Sequence, residues 1–271
     1  MIVKKLLALV VAGAVVAAAA PALAQQDAET PPKLSWSFAG PFGAFDTAQL
    51  QRGYKIYHDV CSGCHSMSMV AFRNLTDPGG PGFTAAQAAA LADSFKLSVA
   101  DHFPDPQEAV ISAFPLKPPD MSLIAKARGY TRGFPGFIFD FFTQYQEKGP
   151  DYIAALLKGY ADAPPGFKVP DGTFYNKYFP GHNILMPQPL FPGAVTYDDG
   201  SPQTLEQYTQ DVAAFLMWAA EPRLVQRKRI GFQVMIFLVV LTGMLYFTKK
   251  KVWHDIKEPG EIARSQDPKT I

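Results

Sequence analysis

The chain has 271 residues, of which 48 % are hydrophobic, so it is long enough to bury one sizeable core. Its 24 prolines and 21 glycines are too many for a plain helical bundle and predict long irregular loops. The formal net charge of only +1 is divided unevenly along the sequence, and no nucleic-acid partner is expected.

Residues 1–24 are predicted to be a secretory signal peptide. Two lysines form a basic start, residues 6–20 form an apolar stretch, and an Ala-Leu-Ala cleavage site ends at Ala24. A membrane anchor is the alternative, but the apolar stretch is shorter than the roughly 20 residues that a spanning helix needs. We therefore expect the mature protein to begin at Gln25, in the bacterial periplasm.

A helix is predicted directly before the only cysteines of the chain. Asp46, with Gln49 three residues later, is typical of a capped helix start. Apolar and aromatic residues then recur with helical spacing and are expected to share one buried face: Leu50, Tyr54, Tyr57 and Cys61.

The two cysteines belong to the sequence Cys61-Ser62-Gly63-Cys64-His65. This C-x-x-C-H pattern is the attachment motif of c-type haem, in which two thiols add to the vinyl groups and the adjacent imidazole reaches the iron. A redox-active C-x-x-C pair would not need the histidine, and a zinc site would need a fourth ligand. The motif predicts one covalently bound haem c on Cys61 and Cys64, with His65 as an iron ligand.

The residues alone leave several candidates for the opposite side of the iron. Met67 and Met69 follow His65 too closely to reach that side. The remaining candidates are Met121, Met186, His102 and His182. Met186 is favoured because prolines on both sides stiffen its loop, and a rigid thioether ligand suits electron transfer and raises the reduction potential. Without a second ligand, the iron would be open to small molecules.

A second clear helix is predicted after Ser201-Pro202, with the serine as cap and the proline in the first turn. Its apolar stripe is expected to consist of Leu205, Tyr208, Val212, Phe215 and Leu216. Small c-type cytochromes are built from a first and a last helix that cross beside the haem. The sequence therefore predicts a mainly α, class I c-type cytochrome fold with long loops and insertions, plus a single C-terminal transmembrane helix.

The predicted anchor contains the uncharged stretch 230–247, which has basic triplets at both ends. Because both flanks are basic, they do not determine the orientation of the helix, and we infer it from the signal peptide instead. Residues 25–222 are expected in the periplasm, 223–248 in the membrane and 249–271 in the cytoplasm. The exported part holds 13 basic and 20 acidic residues, a net charge of −7. This acidity either steers basic partners to the domain or merely aids solubility.

Several segments beyond the haem motif resemble the cytochrome c1 family, in the family's order and with an anchor at the C-terminus. They are Arg52–Tyr57, Val60–Ser66, Pro118–Leu123, Tyr178–Gly181 with Met186-Pro187, and Trp218–Pro222. The resemblance implies that Met186 is the axial ligand opposite His65. It also implies that Arg128 and Tyr152 contact the haem propionates.

The resemblance further implies a role as the haem subunit of the cytochrome bc1 (ubiquinol–cytochrome c reductase) complex, alongside cytochrome b and the Rieske iron–sulfur protein, in a dimeric assembly. Such a subunit would take electrons from the Rieske protein and pass them to a basic cytochrome c, and would not be an enzyme on its own. Two alternatives remain open: a free-standing, membrane-tethered cytochrome c shuttle, and a haem sensor that binds CO or NO.

Two segments are unusual, one for the cytochrome c1 family and one for its aromatic content. Members of the family commonly carry an Asn/Gly-rich stretch before the Pro-Pro-Asp sequence, but residues 111–117 contain neither residue type, so no haem contact from an asparagine is expected there. Residues 134–142 are unusually aromatic. They either pack on the core of the haem domain or form an exposed contact with the membrane or another subunit.

Overall fold

The structure, a computed structural model, describes residues 28–130, 133–136, 138 and 147–254. The predicted signal peptide, residues 255–271 of the predicted tail and part of the aromatic segment 134–142 lie outside the described residues. Within that segment, Phe134 is 81 % exposed. Both interpretations of the segment stay predictions.

The described chain is mainly helical, as the sequence predicts. Its elements in chain order are α1 (Thr47–Ile56), a π-helical turn (Tyr57–Cys61), a 3-10 turn (Phe72–Thr76), α2 (Ala85–Ser94), α3 (Glu108–Ile111), α4 (Ile124–Ala127), α5 (Lys148–Lys158), β1 (Phe174–Tyr175), β2 (Asn183–Ile184), α6 (Leu205–Ala220) and α7 (Leu224–Val252). The stretch between α5 and α6 is mostly loop, as the proline and glycine content predicts.

Helix α1 begins where the sequence predicts. The carboxylate of Asp46 accepts a hydrogen bond from the backbone N–H of Gln49 at 2.8 Å. The expected buried face is confirmed, because Leu50, Tyr54 and Tyr57 are all buried. The π-helical turn continues directly from α1. Cys61, the last residue of this turn, is partly buried at the margin of the hydrophobic core.

Helix α6 begins later than predicted, and the prediction that Ser201 caps it is wrong. The cap is Thr204, whose hydroxyl accepts from the N–H of Gln207 at 3.2 Å. Ser201 instead donates its N–H and its hydroxyl to the carboxylate of Asp199, at 3.0 and 2.9 Å. Because Asp199 forms this local turn, the helix starts only at Leu205.

The predicted apolar stripe of α6 is correct but too narrow. Four of its five residues are buried and Leu205 is partly buried, yet every residue from 211 to 219 is buried as well. Helices α1, α4 and α5 all contact α6. It is therefore the central helix of the domain rather than a surface helix with one apolar face.

The first helix crosses α6, as the class I interpretation predicts. A Cβ atom at Gly53 would collide with the backbone carbonyl of Asp211, so only glycine allows this close approach. Beside it, the Arg52 guanidinium donates to the buried Asp211 carboxylate at 2.9 Å, and the Tyr197 hydroxyl donates to the same carboxylate at 2.9 Å. The charge buried within α6 is thus paired with a charge from α1.

Helix α7, a separate unit beyond its first residues, is long and apolar enough to cross a membrane. Its side chains from 230 to 247 are mostly exposed in the single chain. Lys249, Lys250 and Lys251 occupy its last turn. The helix extends four residues beyond position 248, where the predicted transmembrane segment ends.

Candidate haem site

The attachment motif is folded into one compact turn that begins at the end of the π-helical turn. The N–H groups of Cys64 and His65 both donate to the carbonyl of Cys61, at 3.1 and 2.9 Å. The Ser62 hydroxyl donates to the carbonyl of His58 at 2.6 Å and ties the turn to the preceding residues. Both cysteines are free thiols, and burial, reinforced by Cys64, raises the pKa of the Cys61 thiol to about 12. The unmodified chain therefore presents a reduced, neutral thiol there.

The imidazole of His65 is buried, with an exposed fraction of 8 %. Its Nδ1 donates to the backbone carbonyl of Pro119 at 2.8 Å. Burial lowers the pKa of the ring, which keeps it neutral near pH 7. Because Nδ1 carries the proton, the lone pair lies on Nε2, the arrangement that a metal-bound histidine requires.

The partner of His65 lies on a segment that we call the strap, residues 118–123. The strap is fastened by Asp120, whose Oδ2 accepts from the Ser66 hydroxyl and from the N–H of Ser68, both at 2.8 Å. Its Oδ1 accepts from the N–H of Ser122 at 2.8 Å. Partial burial opposes ionisation, but these hydrogen bonds hold the pKa of Asp120 well below its usual range, so the carboxylate is charged.

Two further hydrogen bonds join the strap to the residues after His65. The N–H of Met121 donates to the carbonyl of Ser66 at 2.8 Å. The N–H of Met69 donates to the Ser122 hydroxyl at 3.0 Å. The strap is therefore bonded to this segment through both backbone and side chains.

Met186 lies on a loop that follows β2. Its side chain is partly buried against the same hydrophobic core that Cys61 borders. The Tyr160 hydroxyl donates to the backbone carbonyl of Met186 at 2.9 Å. Between the paired strands β1 and β2, Gly181 and His182 have φ values of 74° and 60°, which produce a tight reversal of the chain.

The other candidate axial ligands are placed differently. The Nδ1 of His182 donates to the carbonyl of Asn176 at 3.0 Å, and its ring stacks on a tyrosine at 5.2 Å between centroids. His102 is exposed. Met121 belongs to the strap, which contacts His65 directly. Met121 thus lies on the same segment as the hydrogen-bond partner of His65.

The two residues expected at the propionates lie near each other. Tyr152 on α5 is buried, whereas Arg128 at the end of α4 is exposed. Burial raises the pKa of the Tyr152 hydroxyl, while the positive charge of Arg128 acts in the opposite direction. The neighbouring Asp151 is fully buried and accepts from the Trp36 indole N–H at 2.8 Å, which fixes this part of α5.

The residues present fit a c-type haem. Two reduced thiols and a neutral imidazole with its lone pair on Nε2 share one turn, and a thioether lies at the margin of the same core. These are the groups that a thioether-linked, histidine/methionine-ligated haem needs. The Tyr152 hydroxyl and the Arg128 guanidinium lie near each other, and both are groups that bind carboxylates such as the haem propionates.

Sequence reasoning missed three contributors to this site. The Pro119 carbonyl orients His65, Asp120 fastens the strap, and Tyr160 holds the Met186 loop. The sequence distinguishes the segment 118–123 only by its resemblance to the cytochrome c1 family. Every residue has a backbone carbonyl, so no sequence pattern could single out the one at Pro119.

Comparison with known sequences identifies the family. The profile of the Cytochrome C1 family matches residues 36–256. The chain belongs to the cytochrome c1 family. Among similar cytochrome c1 proteins, that of Blastochloris viridis is 48 % identical over 89 % of this chain and 93 % of its own length. That of Rhodospirillum rubrum is 40 % identical over 92 % of this chain and 97 % of its own length.

A longer relative, the cytochrome b/c1 protein of Bradyrhizobium diazoefficiens, is 52 % identical over 92 % of this chain. The chain spans only 39 % of the length of that relative. Its name combines cytochrome b with cytochrome c1.

Membership in the cytochrome c1 family confirms the predicted role. Cytochrome c1 is the haem subunit of the cytochrome bc1 complex, and it carries electrons rather than acting as an enzyme on its own. The family carries c-type haem, and Cys61, Cys64 and His65 match its C-x-x-C-H motif. The bacterial relatives and the long apolar α7 support a membrane anchor.

Proposed function

We propose that the chain binds one haem c through thioether bonds to Cys61 and Cys64, with His65 and Met186 as the axial ligands. The observation that carries this proposal is the hydrogen bond from Nδ1 of His65 to the Pro119 carbonyl. It leaves the Nε2 lone pair for iron and fixes the plane of the ring. When bound, such a haem supplies a one-electron Fe(III)/Fe(II) couple.

The choice of Met186 is supported by its anchored loop and by the positions of its competitors. The Tyr160 hydroxyl holds the Met186 backbone, and prolines follow and precede it in the loop. His182 is engaged with Asn176, and Met121 lies on the strap beside His65. A thioether ligand opposite the imidazole favours the reduced iron and closes it to small molecules.

Arg128 and Tyr152 are proposed to bind the haem propionates. Their proximity, one cation beside one hydroxyl, supports this role. The exposed position of Arg128 suits a carboxylate at the edge of the domain rather than in its centre.

We further propose the topology 1–24 signal peptide, 25–222 periplasmic haem domain, 223–248 membrane anchor and 249–271 cytoplasmic tail. The apolar helix α7 supports the anchor. In this arrangement the chain receives electrons from the Rieske iron–sulfur protein, alongside cytochrome b in a dimeric complex, and delivers them to a basic cytochrome c. The net charge of −7 on residues 25–222 supports the basic acceptor.

The two alternative functions receive less support. A free-standing shuttle does not agree with membership in a family of bc1 subunits. A CO or NO sensor needs an open position on the iron, which the anchored Met186 loop opposes.

Haem staining of the complex on a denaturing gel tests the attachment. The wild-type chain is expected to stain, and the double variant C61A/C64A is expected to lose the stain completely. S62A is the matched control, because Ser62 lies between the two cysteines and is expected to retain it. Covalent haem in the double variant would overturn the proposal.

Electron delivery is tested by reducing the complex with quinol and adding a basic cytochrome c. Absorbance of the c-type haem is expected to show reoxidation at a rate that falls as salt is raised, because an acidic surface steers a basic partner. A rate independent of ionic strength contradicts the acidic docking surface.

A further inference from the structure

We propose that Asp120 is a positioning residue for electron transfer: by fastening the strap, it holds the Pro119 carbonyl against His65 and so lowers the reduction potential of the haem. The proposal rests on the proposed ligation of iron by His65. It concerns a residue that is not one of the proposed ligands and that acts through the histidine.

The first step concerns what holds the Pro119 carbonyl in place. Pro119 lies in a part of the strap that has no helix or strand, so no regular backbone pairing fixes its carbonyl. The hydrogen bond to His65 nevertheless joins residues 54 positions apart in sequence at 2.8 Å. A contact made by a residue next to Pro119 must therefore hold the Pro119 carbonyl within hydrogen-bond distance of His65.

Asp120, the next residue, supplies this fixation. One of its oxygens binds the Ser66 hydroxyl and the Ser68 N–H, which belong to the residues directly after His65. The other oxygen binds the N–H of Ser122 within the strap. The Asp120 carboxylate thus links the two segments that form the His65–Pro119 hydrogen bond. Asp120 is the residue after Pro119, and Ser66, which it binds, is the residue after His65.

The effect on the haem follows from the chemistry of the imidazole. A hydrogen bond from Nδ1 to a carbonyl makes the ring a stronger electron donor to iron, which favours the ferric state. The negative charge of Asp120 beside the ring favours the ferric state as well. Loosening the strap and removing the charge therefore change the reduction potential in the same direction, upward.

The arrangement also predicts which changes leave the fold intact. The bond from the Met121 N–H to the Ser66 carbonyl does not involve Asp120, whereas the Ser122 hydroxyl that accepts from the Met69 N–H is also hydrogen-bonded to Asp120. The Met121 bond is therefore the one expected to keep the strap in place when Asp120 is altered. The variant D120N is close in size but places an amide N–H₂ opposite one of the N–H donors, which weakens the fastening.

The experiment is a redox titration of the purified complex with wild type, D120N, S66A and D101N. D101N is the matched control, because Asp101 also accepts hydrogen bonds from a serine N–H and hydroxyl, those of Ser98, but lies in an exposed turn. D120N is expected to shift the reduction equilibrium toward the ferrous state about threefold to tenfold, where tenfold is about 59 mV for one electron. D101N is expected to cause no resolved shift.

S66A separates fastening from charge. It removes one hydrogen bond of Asp120 and keeps the carboxylate, so its shift is expected in the same direction but smaller than that of D120N. The ferric low-spin electron paramagnetic resonance spectrum, which reports the orientation of the axial ligands, is expected to change in both variants and not in D101N.

Equal potentials of D120N and D101N, or unchanged spectra in both D120N and S66A, would overturn the proposal. If D120N fails to assemble, S66A alone tests the proposal, and a wild-type potential and spectrum in S66A would contradict it. Failure of the underlying ligation would be distinguishable, because the wild-type complex itself would then lack a histidine-ligated low-spin ferric signal.

Discussion

The two sides of the proposed haem site are held in very different ways. On one side, His65 follows α1 within a compact turn, and the strap binds it through side-chain and backbone hydrogen bonds. On the other side, Met186 lies in a loop whose carbonyl is held by the Tyr160 hydroxyl. One proposed ligand is therefore fixed by local sequence and by the strap, whereas the other depends on a loop and is the one expected to dissociate first.

The largest expected effect comes from removing the loop ligand itself. Met186→Leu is expected to retain the covalent haem but lower its reduction potential by on the order of 100 mV, because axial ligands tune haem potentials over a range of about 0.8 V. A redox titration of the complex measures it. Met69→Leu is the matched control, since Met69 is 64 % exposed and is expected to leave the potential unchanged. A wild-type potential in M186L would remove Met186 from the ligand set.

A smaller effect is expected from weakening the anchor of the loop. Tyr160→Phe deletes the hydrogen bond to the Met186 carbonyl, which contributes about 1 kcal/mol, so the fraction of molecules with a detached methionine should rise about fivefold. The rate of CO binding to the reduced complex measures this fraction. Tyr175→Phe, in β1 of the same region, is the control. If Y160F binds CO as slowly as wild type, the loop is held by other contacts.

The smallest effect is expected outside both sides of the site. Lys158 of α5 donates to Glu206 of α6 at 2.7 Å, and this hydrogen bond, joined by one from Gln210, holds the pKa of Glu206 below its usual range. Glu206→Gln is expected to cost about 0.5 kcal/mol of unfolding free energy near pH 7, because exposed ion pairs contribute little.

The pH dependence of that loss has a definite sign. A depressed carboxylate pKa stabilises the fold above about pH 4.3, the ordinary value for glutamate, and the contribution is lost as the pH falls through the folded-state pKa. Thermal unfolding of E206Q and wild type should therefore converge in acid, with equal reduction potentials throughout. A changed potential in E206Q would show that the helix pair and the site are coupled.

Sequence reasoning succeeded where the determinants are local. The motif from Cys61 to His65 has its own spacing, and Asp46 marks the start of α1 with a nearby partner. It was wrong about the start of α6, because Asp199 draws Ser201 into a turn and Thr204 becomes the cap. Propensity rules cannot decide between two capping residues three positions apart when another residue competes for one of them.

The remaining determinants join residues far apart in sequence. Residue patterns left Met186 among four candidates, and only the family resemblance favoured it strongly. The burial of Asp211 is explained by Arg52, which lies 159 residues away, and the orientation of His65 depends on a carbonyl 54 residues away. Such pairs follow from the path of the strap and from the exact contact between α1 and α6. The sequence predicts that these two helices cross but not which of their residues meet.

The contact of Gly53 with α6 has a consequence for the order of biosynthetic events. The groove beside Gly53 is completed only by α6, which ends at Ala220 and is followed along the chain only by α7 among the described helices. At roughly 5–20 residues per second, the interval between synthesis of Cys64 and of Ala220 is roughly 8–30 s. During this interval α1 cannot pack against α6, and the Cys61 thiol is not yet in the buried position that raises its pKa. For the proposed attachment to Cys61 and Cys64, the late synthesis of α6 leaves an interval before this packing forms.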